Sequence, residues 1–159
     1  MKNDLICFGC SLRQGVMATV FATVVTLTLL SCNGAESPVN SHGGPAQDHV
    51  SLVDNLRAQG LTVSPTGSIS QPFFAVPGQI LRVNGQDIQV FEYASSSAAQ
   101  TQAHSISPDG KAIDDTIVGW VGPTHFYQNG KILVLYIGSD QTVLKTLGTL
   151  LGPQIAGEP

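Results

Sequence analysis

Residues 120–127 read Trp-Val-Gly-Pro-Thr-His-Phe-Tyr, bringing the only Trp of a 159-residue chain close to one of its four His and one of its three Tyr. An indole, an imidazole and a phenol each offer an apolar face with a polar handle, so together they can stack on a sugar or hold a small apolar ligand. Trp120, His125 and Tyr127 are therefore the candidate ligand-binding residues. Side chains alternate between faces along a strand, which puts His125 and Tyr127 on one side and leaves Phe126 to the core. Trp120 joins them only if the Gly122-Pro123 bend turns it onto the same face.

Other groups offer weaker chemistry. Asp114-Asp115 stands beside Thr116, but adjacent carboxylates in a loop are ordinarily solvated. His42 and His49 are separated by six residues in a Gly- and Pro-rich stretch and lack ligand spacing. Cys7-Phe8-Gly9-Cys10 has the spacing of redox and zinc motifs without the further ligands or folded context either needs. No metal site and no cofactor is expected. A serine, His104 or His125, and Asp109 or Asp115 would supply a hydrolase triad by composition alone. No Gly-x-Ser-x-Gly elbow, His-Glu-x-x-His or phosphate-binding glycine loop accompanies them, and Glu occurs only at 36, 92 and 158. An enzyme is thus the weaker reading.

The elements that would position these residues begin after an N-terminal leader. Lys2 and Arg13 precede an uncharged run from Val16 to Leu30, fifteen residues long. A bilayer span needs about twenty, whereas a signal-peptide core needs fewer. The run ends in Leu29-Leu30-Ser31-Cys32, which resembles the lipobox of bacterial lipoproteins. The resemblance implies removal of residues 1–31, acylation of Cys32, and attachment of the mature chain to a membrane on its extracytoplasmic side. No cysteine follows Cys32, so the remaining chain has no disulfide of its own.

Residues 32–48 read as the lipidated cysteine and a flexible linker, because Pro38, Pro45, Gly34, Gly43 and Gly44 stand among small polar residues. A single domain is expected over residues 49–159. Of 7 Lys and Arg and 11 Asp and Glu, the leader takes Lys2, Arg13 and Asp4, leaving five cations against ten anions. Nucleic acid is excluded as a partner, since binding it requires a basic surface that displaces counterions from phosphates.

Within that domain Asp48 caps a predicted helix with Val50, Leu52, Val53 and Leu56 as its apolar stripe, ended by Gly60. "LTVS" enters a strand, and Pro65-Thr66-Gly67 and Pro77-Gly78 mark turns. Asn84-Gly85 is a hairpin signal that sets Leu81 against Ile88 and Arg82 against Asp87. Asn129-Gly130 repeats the signal, and each hairpin is followed by a predicted helix. Ala99, Ala103 and Ile106 line the first of these helices, and Val143, Leu144, Leu147, Leu150 and Leu151 the second. The chain can therefore be read as two strand-turn-strand-helix units, with the small alanines and the larger leucines packing unequal helices closely on one sheet. The apolar run Ile132 to Ile137 marks a central strand, and residues 116–122 mark another. The expected fold class is α+β: a mostly antiparallel sheet of five or six strands with helices mainly on one face.

"GWVGPTHFYQNGKILVLYIGSD" and "LGPQIAG" resemble segments of predicted bacterial lipoproteins of unknown function. That resemblance implies an envelope location and no particular activity. The functional expectation is a membrane-anchored binding or assembly module holding a protein, a glycan or a small apolar ligand. The alternative is an envelope hydrolase or other enzyme with an unrecognised site.

Overall fold

A computed structural model of the protein describes residues 44–159. The expected leader at 1–31, Cys32 and the first part of the linker lie outside the described residues. Helix α1 (His49–Ala58) leads into β1 (Val63–Ile69), β2 (Gly78–Val83), β3 (Gln86–Glu92) and α2 (Ser96–His104). Two short strands follow, β4 (Ala112–Ile113) and β5 (Thr116–Ile117), then β6 (Thr124–Asn129), β7 (Ile132–Ile137), α3 (Gln141–Leu151) and β8 (Ala156–Gly157). The fold is α+β. Six strands form an antiparallel sheet in the order β1-β2-β3-β7-β6-β8, and β4 pairs with β5 in a separate small sheet.

Strand β7 lies at the centre because its residues are apolar on both sides. Ile132, Val134 and Tyr136 face one core with Leu81, Val83, Ile88, Val90 and Tyr127, while Leu133 and Leu135 face a second with Phe91 and Phe126. Helices α1 and α3 cover the first face through Leu52, Leu56, Val143, Leu147, Leu150 and Leu151. Helix α2 covers the second through Ala99. The unequal helices pack on one sheet as expected and mainly on one face, with the leucine helix α3 beside α1 and the alanine helix α2 alone on the opposite face.

The reason lies in the two Asn-Gly turns. Val83 pairs with Gln86, so Asn84 (φ 48°) and Gly85 (φ 85°) form the whole first turn. Both have the positive φ that a type I′ turn requires. In the second hairpin Asn129 pairs with Ile132, so the turn is Gly130-Lys131, with Gly130 at φ 51°. The same dipeptide sits one position earlier relative to the turn, and a one-residue offset exchanges the faces of a strand. The second unit also reaches its helix cap Asp140 one residue sooner after its turn than the first reaches Ser95. Two strand-turn-strand-helix units are present, but their helices leave on opposite sides.

Other expectations are met or corrected locally. Leu81 faces Ile88, and Arg82 pairs with Asp87 at 2.8 Å, as the first turn dictates. Asp48 caps α1 in a reciprocal box with Ser51, while Val50 is 60% exposed and drops out of the apolar stripe. Pro65-Thr66-Gly67 is an irregularity inside edge strand β1, where proline forfeits no ladder bond. Residues 116–122 yield only two strand residues. The end of the expected linker belongs to the domain: Ala46 is fully buried with its N–H on Leu150 O, Gln47 O accepts from Lys131 N, and Gly44 O accepts from Asn55 Nδ2.

Candidate functional site

His125 and Tyr127 do share a face, but that face is covered by α1 and α3. Tyr127 retains 3% exposure within the core, and its burial raises the phenol pKa. His125 retains 4% and stacks on Tyr136, its cross-strand neighbour, at 6.0 Å. Its Nδ1 lies 2.8 Å from Gln154 Oε1 and its Nε2 3.0 Å from Gly138 O. The imidazole therefore ties the end of β7 to the segment before β8. Trp120 lies on the other side of the sheet, edge-on to Phe73 and Phe126. The three candidate residues do not converge, and His125 and Tyr127 are corrected to structural roles. Strand alternation places the pair on one face; the α1 and α3 layer, invisible in that alternation, buries it.

Trp120 remains half-buried at the surface, where it lines a pocket of about 240 Å³ with Asp109, Lys111, Val118, Gly119, Gly122, Thr124 and Glu158. The pocket is built from the turn Ser107-Pro108-Asp109-Gly110. Gly110 N donates to Ser107 O at 2.8 Å, and Gly110 takes φ 70°, where a side chain is strained. A Cβ there would also lie 3.0–3.1 Å from Phe126, Thr124 and Gly157, so glycine lets the turn press onto β6 and β8. From that position Gly110 O accepts the indole N–H of Trp120 at 2.7 Å. Two rings and one hydrogen bond set the indole's orientation.

Asp109 is held in the same turn. Its Oδ1 accepts from Ser107 Oγ at 2.6 Å and from Lys111 N at 3.1 Å, which holds its pKa below the usual carboxylate range. Pairing of β8 with β6, continued by Glu158 N donating to Thr124 O, brings Glu158 to the opposite rim. Two acidic residues, a lysine and a threonine thus line the pocket beside one fixed indole. The sequence singles out Trp120 for ligand binding and Asp109 only as a possible triad carboxylate, and gives no part to Lys111, Thr124 or Glu158, which line the same pocket. The Pro-Asp-Gly turn signal was available for Asp109, whereas nothing local to Glu158 connects it with Trp120.

A larger cleft of about 330 Å³ lies beside α2, lined by Ala75, Tyr93, Ala98, Thr101, Gln102, Ser105 and Asp114. Gln102 is already committed there, accepting from Ala75 N and donating to Phe73 O and Ser105 Oγ. The Tyr93 hydroxyl is buried without a hydrogen-bond partner, and burial pushes its pKa up to about 12. Asp114 and Asp115 form the exposed turn between β4 and β5. Among the described residues no cluster of three or more His, Cys, Asp or Glu could hold a metal ion, and no helix is long and apolar enough to cross a membrane. Comparisons with family models, curated proteins and solved structures return no match for this chain.

Proposed function

We propose that this protein is an extracytoplasmic lipoprotein, anchored through lipid on Cys32, whose domain acts as a binding module at the Trp120 pocket. The anchor reading is supported by the uncharged run ending in Leu29-Leu30-Ser31-Cys32 and by the absence of any later cysteine. The binding reading is carried by one observation: a fixed, half-buried indole bordering a pocket with acidic, basic and hydroxyl groups on its lining. Ligand sites combine an apolar wall with a few placed polar groups in this way.

Binding is favoured over hydrolysis because a general base must reach the proton that it takes. His125 faces an amide oxygen and a backbone carbonyl, and His104 has no carboxylate or hydroxyl partner among the described residues. Mass spectrometry of the N-terminal peptide from native membranes tests the anchor. An acylated Cys32 at the mature terminus is expected, and an unmodified Cys32 or a terminus elsewhere refutes it.

A further inference from the structure

We infer that the Trp120 pocket takes a single saccharide ring, a reading that rests on this pocket being the ligand site proposed above. A saccharide presents hydroxyls that both donate and accept, together with an apolar C–H face that stacks on an aromatic ring. An ammonium ligand would call for acceptors alone, a phosphate for donors alone, and an apolar ligand for neither. The pocket supplies both: Asp109 and Glu158 accept, Lys111 donates, Thr124 does either, and Trp120 provides the stacking surface. Both hydrogen bonds that orient the Asp109 carboxylate fall on Oδ1, leaving Oδ2 for a ligand hydroxyl. Neither the Lys111 ammonium nor the Glu158 carboxylate has a hydrogen bond or salt bridge among the described residues. Drug-sized ligands occupy roughly 300–1,000 Å³, so about 240 Å³ limits the occupant to one ring.

Trp120 is the only tryptophan, so tryptophan fluorescence of the purified full-length chain in detergent, excited selectively at the indole, reports on this pocket. The probes are glucose, galactose, N-acetylglucosamine and their methyl glycosides, with tetramethylammonium and inorganic phosphate as contrasts. A saturable change is expected with at least one sugar, at a Kd on the order of 1 mM, as suits a ligand of so few atoms. Equal binding of its methyl glycoside points to the end of a glycan chain, and loss of binding points to a free sugar. Glu158→Gln and Lys111→Gln, both on exposed side chains, are expected to weaken binding about tenfold at unchanged melting temperature. Sugar binding unaffected by both variants overturns the assignment to this pocket. Saturation by tetramethylammonium or phosphate but by no sugar overturns the saccharide while the binding reading stands. A flat response to every probe overturns both.

Discussion

Tyr93 shows how a single residue can lower the stability of a fold whose core is otherwise well filled. Its ring packs with Phe74, Phe91 and Ala99, yet its hydroxyl is buried without a partner. Such a group costs about 1–3 kcal/mol of desolvation. Tyr93→Phe keeps the ring and removes the unpaired group, so the variant should gain stability within that range in urea melts. The pH dependence has a definite sign. With a folded pKa of about 12 and an ordinary value near 10, Tyr93 holds its proton in the native state after the unfolded chain has lost it. Its contribution is complete below the unfolded pKa and is lost as pH rises through the folded one. Between about pH 10 and 12 the wild type should therefore lose more stability than Tyr93→Phe, and parallel melts across that window decide it.

At the scale of elements, the segment before α1 acts as a short strap across the second hairpin and α3. Gln47 O takes Lys131 N, Ala46 N reaches Leu150 O, and Ala46 is fully buried. A chain beginning at Asp48 loses these contacts as well as Gly44 O for Asn55, while one beginning at Gly44 keeps them. The shorter chain should be less stable by about 1–3 kcal/mol, an order set by two or three net hydrogen bonds, and a melting comparison would expose identical stabilities. Gly130 tests the same strap from the other side. A Cβ there would collide with the backbone of Gln47, whereas at Gly85, also at positive φ, it would meet nothing within 4 Å. Gly85→Ala should cost about 1–2 kcal/mol of backbone strain. Gly130→Ala should cost more, because the strap must also move.

For the whole molecule, the proposed anchor and the absence of internal disulfides together describe a domain that keeps its shape by packing alone. Cys32 is the last cysteine, and both faces of the main sheet are covered. Lipid chains contribute about 0.8 kcal/mol per buried methylene, so two or more hold a protein to a bilayer where one does not. Cys32→Ser should shift the chain out of the salt-washed membrane fraction while leaving the melting temperature of the domain unchanged. Continued membrane retention of that variant would count against lipid on Cys32.

Local chemistry was enough to read several features from residues alone. Asp48 caps α1, Asn84-Gly85 sets the first hairpin's register, and the unbroken apolar run 132–137 places β7 at the centre, because each depends on neighbours a few positions away. The α+β class followed from those elements. The site did not, because His125 and Tyr127 look like a surface pair until α1 and α3 are laid over them, and no strand pattern says which face a helix will cover. Asn129-Gly130 resembles Asn84-Gly85 until the pairing of Asn129 with Ile132 moves the turn by one residue and exchanges the faces. Glu158 reaches Trp120 only through the pairing of β8 with β6. Contacts between residues far apart in the chain are set by packing free energy summed over the whole fold, and that sum exists only once the fold has closed.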